Sequence, residues 1–208
     1  MLNDIYISAS CVIEDNIVYK NGQSLFEKKE IDLSEFLIAC YNHFEMNYPK
    51  FYKMDGLSKF GVLAADVLLK DDFTIESYKA KDIGIVLSNA NASLDTDIKY
   101  FETVKDIASP ALFVYTLPNI VIGEISIKHR LKGENAFFIA EKFDVDFIKE
   151  YVSNLFYNNV LQACICGWVE VLGNKYKTVL YLIEKNKNIK SLDFTTENIN
   201  KIYENNNG

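Results

Sequence analysis

The residues whose types could do chemistry are few: two cysteines two positions apart, two isolated histidines, and a lysine set between an acid and a phenylalanine. Cys164 and Cys166 would share one face of a strand, because strand side chains alternate. As thiolates they could ligate a metal, but such a site needs further ligands. The only histidines, His43 and His129, are far away in sequence. Two small hydrophobes in a core are the better account of the pair, and no metal is expected. His129 falls near the end of a predicted helix, where a favourable interaction with the helix dipole explains it. The segment Gly173-Asn174-Lys175-Tyr176-Lys177-Thr178 lacks the glycine spacing of a phosphate loop, and neither G-x-S-x-G nor H-E-x-x-H occurs. Local motifs thus yield an α/β domain and no cofactor.

Hydrophobic periodicity supplies the elements that would position these residues. Ile5-Tyr6-Ile7 and Ile17-Val18-Tyr19 are short β-prone runs separated by a Glu14-Asp15-Asn16 turn. The spacing predicts helices over 33–47 and from Ser58 to Leu69. Ile83-Gly84-Ile85-Val86-Leu87 reads as a strand covered on both faces. Ser93 is expected to cap a helix with Ile98, Phe101 and Val104 on one side, and Pro118 to open a helix running to about Leu131. The latter is apolar on more than one face, as suits a buried or interface helix. Ala136–Ala140 is a strand, Asp144–Asn158 an amphipathic helix, Val160–Val171 and Thr178–Ile183 neighbouring strands, and Thr195–Tyr203 a polar helix. Strands alternating with helices, without internal repeat or linker, define one α/β layered domain over 1–208.

With 208 residues, 49% of them hydrophobic, the chain can bury a sizeable core, and disorder is expected only at ends such as Asn205-Asn206-Asn207-Gly208. A net charge of −7 without a basic stripe disfavours nucleic acid. Met1-Leu2-Asn3-Asp4 does not resemble a signal peptide, and no run reaches the ~18 apolar residues of a membrane span. Four cysteines without a secretion signal read as reduced thiols, so the expected compartment is the cytoplasm. The wealth of Asn, Ile and Lys suggests an AT-rich bacterial genome.

Five segments in order resemble the β-ketoacyl-acyl-carrier-protein synthases. Lys53-Met54-Asp55 before a helix with Ala64-Ala65 looks like their early helix, and Asp82 to Asn89 like their first core strand. Ala108-Ser109-Pro110-Ala111-Leu112-Phe113 with Leu117-Pro118-Asn119 is similar to their S-P-x-x-F … P-N helix. Leu131-Lys132-Gly133-Glu134-Asn135 resembles the turn before their nucleophile strand, and Gly167-Trp168-Val169-Glu170 the end of their fourth strand. The match is strongest over 50–185. It implies a three-layer α/β/α thiolase-like half-domain with a mixed central sheet.

The same resemblance implies what the chain lacks. Ketosynthases place a Cys at a strand-to-helix turn, and counting from Gly133 that position falls on Lys142, flanked by Glu141 and Phe143. A lysine cannot carry an acyl chain as a thioester, and the family's two catalytic histidines belong to a second half-domain. This pattern resembles the chain-length-factor partners of ketosynthases, so no catalytic residue is expected. The implied partner is an active ketosynthase, or a second copy of the chain, with acyl carrier protein as a further partner. A pigment pathway of aryl-polyene type is one expected setting. The strand with Phe137, Phe138 and Ile139 would pair with its mate across the two-fold axis. Leu87 would lie at the floor of an acyl pocket and Leu112 would reach into the partner's, with plain core packing as the other reading of both leucines. Two alternatives remain: an enzyme using Lys142 as amine nucleophile or base, and a stand-alone binder of acyl groups or acyl carrier protein.

Overall fold

The computed structural model describes residues 5–71 and 73–204. Both termini singled out above, 1–4 and 205–208, lie outside the described residues. Eight strands form one mixed sheet: β1 (Tyr6–Glu14), β2 (Ile17–Lys20), β3 (Gln23–Glu27), β4 (Ile83–Asn89), β5 (Asn135–Ile139), β6 (Ala163–Leu172), β7 (Lys175–Glu184) and β8 (Leu192–Asp193). Their spatial order is β3-β2-β1-β7-β6-β4-β5, with β8 pairing the start of β1. β6, β4 and β5 are parallel, and the remaining pairs are antiparallel.

Among the described residues, seven α-helices surround the sheet: α1 (Leu33–His43), α2 (Gly56–Leu69), α3 (Leu94–Val104), α4 (Pro110–Val114), α5 (Ile120–His129), α6 (Val145–Tyr157) and α7 (Thr196–Tyr203). α1, α2 and α5 close one face over the larger core, which holds Phe36, Phe60, Leu87 and Ile125. α6 and α7 close the other, over Val86, Cys164, Cys166, Tyr181 and Ile199. The sheet is thus the middle layer of three, as expected.

Local chemistry explains most boundaries. β4 is buried at all seven positions, as a parallel strand covered on both faces must be. Asp32, Asp55, Asp144 and Thr195 each accept a hydrogen bond from an N–H in the first turn of α1, α2, α6 and α7. Asp15 and Asn16 take positive φ, the geometry a two-residue hairpin requires. Asn159, also at positive φ, follows α6 as its terminator. α2 packs closely on α5, because a Cβ at Gly61 would stand 2.2 Å from Val121 Cγ2.

Two expectations are corrected, and a third holds in position only. Ser93 is the N-cap residue of α3, as expected, but its side chain makes no capping hydrogen bond: its Oγ donates to Thr116 O at 2.6 Å, tying the helix start to the segment before α5. Pro118 does not open α5, which begins at Ile120 after Asn119. The first helix stops at His43 rather than 47, and Pro49–Lys53 forms a 3-10 turn instead. β3 went unread in the sequence, since Gln23-Ser24-Leu25-Phe26-Glu27 lacks the apolar alternation of a half-buried strand.

Candidate functional site

The parallel strands β6, β4 and β5 deliver three loops to one end of the sheet, the carboxyl end, where α/β folds characteristically place their sites. The loop after β4 is fixed by its own side chains. Asn89 Nδ2 donates to Ala92 O at 2.8 Å, and Ala92 N donates back to Asn89 Oδ1 at 2.9 Å, with Ala92 at φ +51°. From β6, Glu170 Oε2 accepts from the N–H groups of Ala90 (2.6 Å) and Asn91 (3.2 Å), while Oε1 accepts from Asn91 Nδ2 (3.0 Å). Backbone donors at this end are therefore already satisfied by a carboxylate of the same chain. Glu170 stood in the sequence only as the end of a motif, and nothing in its spacing announced this contact.

Lys142 sits in the turn between β5 and α6. That turn is joined to β4 where Ala140 N donates to Asn89 O at 3.0 Å. The Lys142 and Glu141 side chains are exposed, and Lys142 forms no ion pair among the described residues. Its neighbour Phe143 turns inward into an aromatic group: ring centroids lie 4.9 Å from Tyr203, 5.8 Å from Trp168 and 6.3 Å from Tyr181. Tyr181 Oη donates to Ile199 O at 2.9 Å, so α7 is tied to the sheet beside this group. The space beneath the turn is filled by rings.

The other singled-out residues separate. Leu87 is fully buried in the larger core, between Phe137 on β5 and Gly167 on β6. Leu112 is half-buried on α4, and its neighbours Phe113 and Val114 are exposed. Phe137 packs on the larger core and Phe138 on the smaller, edge-on to Phe147 and Tyr151 at 4.8 and 5.0 Å. Ile139 is 58% exposed on the strand at the sheet edge. The side of α3 carrying Ile98, Phe101 and Val104 faces solvent.

All four cysteines are buried, and among the described residues no group of three or more His, Cys, Asp or Glu side chains could hold a metal ion. Burial pushes the Cys40 thiol up to about 12 and likewise raises those of Cys11, Cys164 and Cys166, so none is a thiolate at neutral pH. His43 is exposed against the Phe26 ring, 4.6 Å away. His129 Nε2 lies 2.9 Å from Asp66 Oδ1 at the end of α5. A buried acid and its partners escaped the sequence reading: Glu124 on α5 meets the exposed Lys50 Nζ at 2.7 Å and accepts from Tyr115 Oη at 3.1 Å and Tyr48 Oη at 3.4 Å. An acid within the apolar run of α5 was its one visible sign. Among the described residues, no helix is long and apolar enough to cross a membrane.

This is the fold of the β-ketoacyl synthases and chain length factors, a thiolase-like mixed sheet between helical layers. No protein-family model and no curated protein matches the sequence, and the likeness comes from solved structures. A chain of the ishigamide ketosynthase/chain length factor superposes with a TM-score of 0.67 at 14% identity, over 87% of this chain and 62% of that one. In the ketosynthase (ApeO) in complex with its chain length factor (ApeC) from Xenorhabdus doucetiae, the match has a TM-score of 0.56 at 12% identity, covering 88% and 79%. A beta-ketoacyl synthase from Burkholderia phymatum STM815 gives 0.61 at 12% identity, covering 88% and 59%. The chain thus spans under two thirds of the ishigamide and Burkholderia chains. Identities this low establish the fold alone.

Proposed function

We propose that this chain is a non-catalytic ketosynthase-like subunit that pairs with an active ketosynthase and helps shape its acyl pocket in fatty-acid or polyketide-type biosynthesis. The observation carrying this reading is β5. It is an edge strand of apolar sequence, unpaired on one side among the described residues, and it runs directly into the turn that carries Lys142. A strand edge left unpaired is a template for another strand, and β5 would be matched by its counterpart across a two-fold axis. Leu112, on the α4 segment with exposed Phe113 and Val114, would then reach toward the partner's pocket. A ketosynthase solved in complex with its chain length factor has this fold, which supports the pairing, and an aryl-polyene pigment pathway is the setting we propose.

An enzyme built on Lys142 finds less support. A lysine becomes a nucleophile when desolvation or a nearby cation lowers its pKa, whereas Lys142 is exposed to water.

Co-expression with the products of its genomic neighbours tests the proposal: a stable heteromer with a ketosynthase is expected, and emergence of the chain alone would sink it. A Lys142→Cys variant should not gain condensing activity when assayed by itself.

A further inference from the structure

At the far end of the sheet from β5, a cavity of about 280 Å³ opens between β1, β2 and α7. Its apolar wall includes Ile7 and Val12 from β1 and Ile202 from α7. Its polar lining includes Lys190, from the loop before β8, and Lys201, one residue before Ile202 on the helix. Both lysines are exposed, and neither forms an ion pair among the described residues. Two cations lining one opening stand out in a chain of net charge −7.

A second feature comes from β1 itself. Its pairing with β7 slips between Ile7 and Ala9, so Ser8 is an extra residue without an opposite number. Such a bulge breaks the regular alternation and re-aims a side chain. Ser8 lines the cavity, is 3% exposed, and its hydroxyl has no hydrogen-bond partner among the described residues. Burying a hydroxyl without a partner costs free energy that a bound polar group would recover.

We infer that this cavity binds a compact amphipathic anion, a monocarboxylate on an apolar body of roughly eight carbons. The size follows from the volume, which at about 30 Å³ per water-sized group admits on the order of nine such groups. The carboxylate sits between the ammonium groups of Lys190 and Lys201, and the chain lies against Ile7, Val12 and Ile202. Ser8 Oγ supplies one more donor. Lysine ammonium groups are flexible point charges without the fork of an arginine, and they suit a single carboxylate held at a mouth open to solvent. β7, β6 and β4 lie between this cavity and β5, so the inference stands apart from the pairing proposed above.

Titration of the full chain with octanoate at low salt, followed by calorimetry, tests it without any ketosynthase present. Saturable binding with a Kd of about 1 mM or tighter is expected, weakening as salt screens the lysines. Lys190→Glu and Lys201→Glu, both at exposed positions, should each weaken binding about tenfold, and Ser8→Ala about threefold. Octanol should bind at least tenfold more weakly than octanoate. Absence of saturable octanoate binding overturns the inference, as does equal affinity for octanol or undiminished affinity in both charge-reversed variants.

Discussion

At one edge of the sheet, β3 runs Gln23-Ser24-Leu25-Phe26-Glu27, pairs with β2 through an irregular register, and leads into Lys28 and Lys29. At the other edge, β5 runs Asn135-Ala136-Phe137-Phe138-Ile139, in register with β4 and without a charge or bulge. Charges, shortness and bulges are how proteins keep an edge from pairing with another chain. β3 has a charge and an irregular register, and β5, of the same five-residue length, has neither. Two edges of one sheet, made from the same backbone, are therefore prepared for different fates. The one left open lies beside the turn that carries Lys142.

Both edges depend on the middle of the sheet, so the largest effect should come from breaking it. Gly167 on β6 has φ +147°, and a Cβ there would stand 2.0 Å from Val179 O on β7. Gly167→Ala is expected to cost about 4 kcal/mol or to prevent folding, read by urea titration, and both edges would be lost together. Next in size is the helix that closes the β1 end. Ile199→Ala removes a side chain 1% exposed and should cost about 3 kcal/mol by the same titration. Smaller still, and specific to one edge, Ile139→Lys should weaken association with a ketosynthase at least about tenfold while leaving the melting temperature nearly unchanged. The matching change at the other edge, Leu25→Lys, should leave association as it is. Equal loss from both would remove the distinction between the edges.

The smallest effect concerns pH. Burial raises the Asp55 carboxyl above its usual value, only partly offset by hydrogen bonds from Ser58 and Thr96. The folded chain then holds this proton to higher pH than the unfolded chain does. Stability from this group is present below the unfolded value and falls as pH rises through the raised one. Asp55→Asn should keep a cap on α2 and flatten that part of the curve of stability against pH, measured by thermal melts.

Elements with strong periodicity could be read directly from the sequence: β4, whose run is buried throughout, and α6, with Asp144 before an apolar face. The turn between Ile139 and Asp144 followed from its flanking elements, and with it the place of Lys142. Contacts made between distant segments could not be read. Ser93 has the residue type of a helix cap, yet its hydroxyl goes to Thr116 O, a choice that depends on how α3 and the α4–α5 connection meet. Glu170 and Glu124 acquire their partners in the same way, across separations that no local pattern encodes. Ser8 is a further case, since a bulge shows only when β7 is laid beside β1.

The rings around Phe143 also give the molecule an optical probe. Trp168 is the sole tryptophan, 4% exposed, and its indole lies against Phe143 one residue from Lys142. The tryptophan emission of the protein, separable from that of its 13 tyrosines by excitation near the red edge of the absorption band, therefore arises at the carboxyl end of the parallel strands. A partner that settles over that turn, or a helix α7 that lifts away from it, would change the colour and brightness of this one fluorophore without any label being added.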